Sequence, residues 1–107
     1  RTLFIIMLAS QICHKSLNDE LFMRVLLVED EPDLGAAIKR TLNQEKYVVD
    51  WVTDGTEAWA YLENRWTHYT LAILDWMLPG MSGLELCQRL RKNNNPLPVL
   101  ILTARDR

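Results

Sequence analysis

Residues 25–32 read Val-Leu-Leu-Val-Glu-Asp-Glu-Pro, a short apolar run that ends in three acids and a proline. Two later runs also end in a polar residue: Leu-Ala-Ile-Leu at 71–74 precedes Asp75, and Val-Leu-Ile-Leu at 99–102 precedes Thr103. Continuous apolar runs of this length are typical of strands buried on both faces, as in a parallel sheet. If the strands are parallel, their polar ends meet at one edge of the sheet and form one acidic pocket.

Helical signals lie between these runs. Apolar residues recur every fourth residue over 34–42, which gives one apolar helix face. Asp54 and Ser82 stand where N-caps of a second and a third helix are expected. A further strand, rich in β-branched and aromatic residues, is predicted over 47–52. Strands and helices therefore alternate, which predicts an α/β fold with an open, doubly wound parallel sheet covered on both faces.

The bulk composition narrows the class of protein. A chain of 107 residues is enough for one domain with a modest core, and a net charge of -2 gives no electrostatic case for nucleic-acid binding. Cys13 and Cys87 are far apart and fit no metal-ligand spacing, so we interpret both as free thiols in a reducing compartment, the cytoplasm. The apolar run at 3–9 is too short to span a bilayer. We predict that 1–22 is an N-terminal extension outside the domain and that the domain begins at Met23.

The acidic pocket has a chemistry that can be argued from charge. Two carboxylates about 4 Å apart repel by roughly 4 kcal/mol at an effective dielectric constant near 20. If Glu29, Asp30 and Asp75 converge, a bound cation is one remedy, and hard oxygen ligands beside a phosphate favour Mg²⁺. Asp75 stands alone after its strand and can act as a nucleophile toward phosphorus. Thr103 is placed to supply a hydroxyl to the phosphoryl group.

Three segments together resemble a known family. They are Val-Leu-Leu-Val-Glu-Asp-Glu-Pro (25–32), Leu-Asp-Trp-Met-Leu-Pro-Gly-Met-Ser-Gly-Leu-Glu (74–85) and Pro-Val-Leu-Ile-Leu-Thr-Ala-Arg (98–105). They are similar to the receiver domain of bacterial two-component response regulators, most of all to the subgroup with a C-terminal winged-helix DNA-binding domain. The resemblance covers 23–107 and implies a flavodoxin-like receiver fold.

The resemblance also implies a role for each matching residue. Asp75 would take a phosphoryl group from a sensor histidine kinase, and the full-length protein would regulate transcription, with a receiver–receiver dimer among its assemblies. The implied Mg²⁺ ligands are three carboxylates and one main-chain carbonyl: Glu29, Asp30, Asp75 and the carbonyl of Met77. The implied phosphoryl-binding switch consists of Thr103 and Ala104.

The chain also departs from the family pattern. The sequence stops at Arg107, and we expect no counterpart here of the family's fifth strand, the phosphoryl-binding lysine after it or the output domain. We therefore expect a receiver domain truncated at its C-terminus, with no catalytic lysine and no DNA binding by this fragment. We also expect 99–102 to form an exposed apolar edge, which would leave the chain marginally stable.

Two alternatives remain open beside the signalling switch. A phosphohydrolase with an aspartate nucleophile would place a general acid two residues after Asp75, where this chain has Met77. That difference argues against an enzyme. A folded interaction module that is never phosphorylated, or an inactive receiver fragment, is the other alternative.

Overall fold

A computed structural model describes residues 2–7, 23–64 and 67–105, and it describes side chains over 23–64 and 67–102. Within those ranges the elements follow in this order: β1 (Thr2–Met7), β2 (Arg24–Val28), α1 (Pro32–Gln44), β3 (Val48–Val52), α2 (Gly55–Leu62), β4 (Leu71–Asp75), α3 (Gly83–Lys92) and β5 (Val99–Arg105). None of the helices in the described part of the chain has the length and apolar character needed to cross a membrane.

All five strands form one sheet in the order β1-β5-β4-β2-β3. Strands β2, β3, β4 and β5 pair in parallel. The chain starts this parallel sheet in its middle at β2, moves to one side for β3 and then crosses to the other side for β4. This reversal is the topological switch point of a doubly wound sheet, and it confirms the predicted α/β fold.

The apolar runs are continuous because both faces of the sheet are covered. Val25 and Leu27 face one hydrophobic cluster, which also includes Ile38 of α1. Leu26 and Val28 face the other cluster, which receives the buried side chains of α2 and α3. These four β2 side chains are all 0% exposed. The free thiol of Cys87 is buried in the α2–α3 cluster, whereas Cys13 lies outside the described residues.

Each helix begins at a side-chain cap. Asp54 accepts hydrogen bonds from the main-chain N–H groups of Thr56 and Glu57, and Ser82 accepts one from Glu85, so both predicted N-caps are confirmed. Helix α1 has a cap that the sequence did not single out, because the Glu31 carboxylate accepts from the N–H groups at the start of that helix. Glu31 is thus both the last acid of the turn after β2 and the N-cap of α1.

The expectation that β5 has an exposed apolar edge is wrong in this structure. β1 pairs antiparallel with β5 over six residue pairs, from Thr2 opposite Arg105 to Met7 opposite Leu100. An apolar edge strand has unpaired N–H and C=O groups, and a second apolar strand satisfies them. Residues 2–7 therefore join the sheet, although we had placed 1–22 outside the domain; the division at Met23 stays a prediction.

Candidate acidic phosphoryl-acceptor site

The acidic site lies at the carboxyl edge of the two central strands. Val28 and Leu74 are partners in the β2–β4 register, so the next residues, Glu29 and Asp75, leave the sheet side by side. Glu29, Asp30 and Asp75 each offer a carboxylate oxygen, and these oxygens all lie within 4.8 Å of one another. The structure therefore brings together the three acids that the sequence places at strand ends.

Burial makes this cluster costly as a set of free anions. Glu29 is 0% exposed and Asp75 is 8% exposed, whereas Asp30 is exposed to solvent. Burial above all, together with the charges of Asp75 and Asp30, raises the pKa of Glu29 from 4.5 to about 7. The main-chain N–H of Glu31, which donates to Glu29 Oε2 at 2.8 Å, acts in the opposite direction by stabilising the carboxylate.

The second oxygen of Glu29 fits a metal site. Glu29 Oε1 is buried and, among the described residues, has no hydrogen-bond partner. A buried oxygen of this kind is costly unless a donor or a cation satisfies it. Three clustered carboxylates form the hard oxygen donor set that Mg²⁺ prefers. The residues present therefore fit a divalent cation, with Glu29 as the buried ligand and Asp30 as the exposed one.

Asp75 is held at the end of β4 by its own turn. Its Oδ1 accepts a hydrogen bond from the Met77 main-chain N–H at 3.3 Å. The Trp76 N–H donates to the Leu102 carbonyl at 3.1 Å, which extends the β4–β5 ladder past Asp75. The next two residues, Trp76 and Met77, carry large side chains that are 41% and 78% exposed.

The loop after Asp75 turns at Gly80, which follows Pro79. Gly80 has φ +76°, and a Cβ atom there would lie 2.7 Å from the Thr56 hydroxyl and 2.8 Å from Asp54 Oδ1. The Gly55 N–H also donates to the Pro79 carbonyl at 2.9 Å. Glycine is required at this turn because the loop packs against the start of α2 with a positive φ.

The predicted switch residues lie on β5 next to the site. Asp75 is paired with Leu102 in the β4–β5 register, so Thr103 follows directly after that partner. Thr103 and Ala104 also pair with Phe4 and Leu3 of β1 through the antiparallel register. Their side chains lie outside the described residues, and their role as the phosphoryl-binding switch stays a prediction.

One residue at the site has no motif that marks it in the sequence. The Trp51 indole N–H donates a 2.9 Å hydrogen bond to the main-chain carbonyl of Glu29. Tryptophans in strands are usually core residues, so the sequence marks Trp51 as a packing residue only. A hydrogen bond from a ring nitrogen to a main-chain oxygen produces no pattern of residue spacing in the sequence.

Comparison with known proteins agrees with this geometry. The family description "Response regulator receiver domain" matches residues 25–107. Response regulator RppA of Synechocystis is 74% identical over 82 residues, which cover 77% of this chain and 35% of that protein. Transcriptional regulatory protein TcrA of Mycobacterium tuberculosis is 46% identical over 83 residues, which cover 78% of this chain and 32% of that protein. The chain thus spans about a third of the length of these relatives.

A solved structure gives the same fold. Response regulator TrrA of Thermotoga maritima, in complex with Mg(2+)-BeF, superposes with a TM-score of 0.59 at 38% identity, over 67% of this chain and 61% of that one. The sheet order, the acidic cluster at the carboxyl ends of β2 and β4 and the match over 25–107 lead to one assignment. This chain belongs to the response regulator receiver domain family, whose members are signalling modules.

Proposed function

We propose that the chain receives a phosphoryl group on Asp75 from a sensor histidine kinase, with Mg²⁺ as the cofactor. The convergence of Glu29, Asp30 and Asp75 within 4.8 Å is the observation that carries the proposal. Asp75 is the candidate acceptor because it ends β4 by itself, whereas Glu29 and Asp30 share one turn after β2. This placement supports Glu29 and Asp30 as the metal-binding pair and Asp75 as the nucleophile.

The proposed Mg²⁺ ligands are the three carboxylates and the main-chain carbonyl of Met77. Support comes from the buried, unsatisfied Oε1 of Glu29 and from TrrA, whose structure is a complex with Mg(2+)-BeF. Mg²⁺ bound there would neutralise charge on the phosphoryl group during transfer. Without a cation, the raised pKa of Glu29 means that a proton relieves part of the same repulsion.

The chemical step requires Asp75 as a carboxylate. One of its oxygens attacks the phosphorus of a phosphohistidine; a P–O bond forms while the P–N bond breaks, and the histidine nitrogen keeps the electron pair. The Met77 N–H holds Oδ1 of Asp75 at 3.3 Å and so limits rotation of the carboxylate. Thr103 and Ala104, one strand away, are the proposed residues that respond to the new phosphoryl group.

The wider role is proposed from the relatives. TcrA is named a transcriptional regulatory protein, and it is about three times as long as the segment it shares with this chain. We infer that the receiver unit, 23–107, controls transcription through an output domain in a longer cytoplasmic protein that pairs through its receivers. In that role the unit is a phosphorylated switch, and it turns over no substrate of its own.

The test uses the chain with Mg²⁺ and acetyl phosphate, followed by intact mass. We expect a gain of one phosphoryl group, which Asp75→Asn abolishes and which removal of Mg²⁺ with a chelator prevents. Glu85→Gln is the matched control, because it neutralises an exposed carboxylate on α3 that pairs only with Arg89 in the described structure. A folded, Mg²⁺-binding chain that gains no mass would favour the unphosphorylated interaction module instead.

A further inference from the structure

The turn that carries Glu29 and Asp30 is held by a side chain from the neighbouring strand. Trp51 lies on β3, where it is paired with Leu27 of β2. Its indole reaches past the end of β2, and Nε1–H donates to the Glu29 carbonyl at 2.9 Å. The Glu29 N–H donates to the Val52 carbonyl at 3.0 Å, so β3 holds both main-chain groups of this residue.

Helix α1 packs against the same ring. A Cβ atom on Gly35 would overlap Cζ2 and Cε2 of Trp51, so the helix can approach the indole this closely only with glycine at that position. Gly35 is buried, and Trp51 is half-buried between the helix and the sheet. The turn that carries Glu29 and Asp30 therefore lies between the Trp51 indole and α1, and α1 also holds the indole in place.

Internal hydrogen bonds transmit this constraint through the turn. Glu31 N–H donates to Glu29 Oε2 at 2.8 Å, and Glu31 Oε2 in turn accepts from the Leu34 N–H at 2.8 Å. The side chain of Glu29 is thereby oriented with Oε1 left for the acidic pocket. Asp30 is exposed, so its position relative to Asp75 depends on the main chain between Glu29 and Glu31.

We propose that Trp51 is a positioning residue for the Mg²⁺ site, and that its indole N–H, rather than its bulk alone, sets the turn that presents Glu29 and Asp30 to the cation. This inference rests on the proposed metal site. Partners that orient a metal ligand typically change metal affinity by 10–100-fold when removed. Trp51 acts through a main-chain carbonyl and one hydrogen bond, so we expect a smaller loss of about 3- to 10-fold in Mg²⁺ affinity.

The decisive variant replaces only the N–H group. Benzothienylalanine at position 51 keeps the fused ring and substitutes sulfur for the indole nitrogen, and Trp51→Phe is the encoded counterpart. Trp59→Phe is the matched control, because Trp59 is half-buried under Arg89 on the opposite face of the sheet. Mg²⁺ dissociation constants are measured by calorimetry, and the free energy of unfolding is measured by urea titration on the same samples.

We expect the sulfur isostere to weaken Mg²⁺ binding by about 3- to 10-fold, while Trp59→Phe leaves Mg²⁺ affinity unchanged even where it lowers the free energy of unfolding. Unchanged Mg²⁺ affinity of the folded isostere would overturn the inference and leave the metal site intact. A wild-type chain that binds no Mg²⁺ would instead overturn the proposed metal site itself.

Gly35→Ala perturbs the Trp51 indole from the side of α1. The added methyl group must displace the indole, so we expect weaker Mg²⁺ binding although alanine favours the helix. In the Trp51→Phe background the smaller ring accommodates the methyl group, and the effect of Gly35→Ala on Mg²⁺ affinity should shrink. Equal effects of Gly35→Ala on Mg²⁺ affinity in the wild-type and Trp51→Phe backgrounds would count against the proposal.

Discussion

Glu29 and Asp75 leave different strands of the sheet, yet their carboxylate oxygens lie within 4.8 Å of each other. Each side chain is almost fully buried, at 0% and 8% exposure. The chain between them contains a helix, a strand and a second helix, so the contact depends on the parallel pairing of β2 with β4. The proposed function rests on this one relationship.

Mg²⁺ should stabilise the folded chain, and the effect should depend on Glu29. A ligand at 100 times its dissociation constant adds about 2.7 kcal/mol to the free energy of unfolding. We expect saturating Mg²⁺ to raise Tm, a chelator to reverse the rise and Glu29→Gln to reduce Mg²⁺ affinity by about 10-fold or more. Emission of the exposed Trp76, next to Asp75, provides an independent titration, with Trp76→Phe as the blank. A Tm shift as large in Glu29→Gln as in the wild-type chain at the same Mg²⁺ concentration would contradict the assigned ligand.

The stability of the Mg²⁺-free chain should fall as pH rises through the pKa of Glu29. Burial raises this pKa from 4.5 to about 7, so the folded chain binds the proton more tightly than the unfolded chain. The stabilisation is complete below pH 4.5 and is lost as pH approaches and passes 7, with a total on the order of 3 kcal/mol. Urea unfolding between pH 5 and 8.5 measures the slope, and Glu29→Gln should flatten it. Parallel slopes in the two proteins would show that another group is responsible.

Tyr69 should contribute to stability without affecting the acidic site. Its hydroxyl donates to Asp50 Oδ2 at 2.7 Å, and Arg24 donates to both oxygens of that carboxylate at 3.2 and 3.1 Å. This network ties β2, β3 and the segment before β4 together at the end of the sheet opposite the acids. We expect Tyr69→Phe to lower the free energy of unfolding by about 1 kcal/mol and to leave Mg²⁺ affinity unchanged. Equal stability in urea would mean that the hydrogen bond carries no net energy.

Removal of the N-terminal strand should expose an aggregation-prone edge. Strand β1 covers six residues of β5, from Leu100 to Arg105. A chain that starts at Met23 should therefore self-associate at lower concentration than the 107-residue chain, because unpaired edge strands recruit other chains. Light scattering over a concentration series compares the two. Identical monomeric behaviour would show that β1 does not protect β5 in solution.

The parallel core could be predicted from the sequence because its signals are local. Four-residue apolar runs indicate strands buried on both faces, and Asp54 and Ser82 indicate helix starts. The convergence of Glu29 with Asp75 then follows from a parallel sheet in which β2 and β4 are neighbours. The strand at 2–7 could not be predicted in this way, since its partner lies at the other end of the chain and antiparallel pairing across that distance has no local pattern. The Trp51 hydrogen bond was missed because a main-chain acceptor is available at every residue.

The central claim is that Asp75 carries the phosphoryl group, and reductive trapping tests it most directly. Borohydride reduces an acyl phosphate to an alcohol, so a phosphorylated aspartate becomes homoserine, which peptide mass mapping can locate. After incubation with Mg²⁺ and acetyl phosphate, the account predicts homoserine at position 75 of the wild-type chain and at no position in Asp75→Asn. Homoserine at another aspartate, the corresponding longer alcohol at a glutamate such as Glu29, or a phosphorylated chain with an unmodified position 75 would contradict the account.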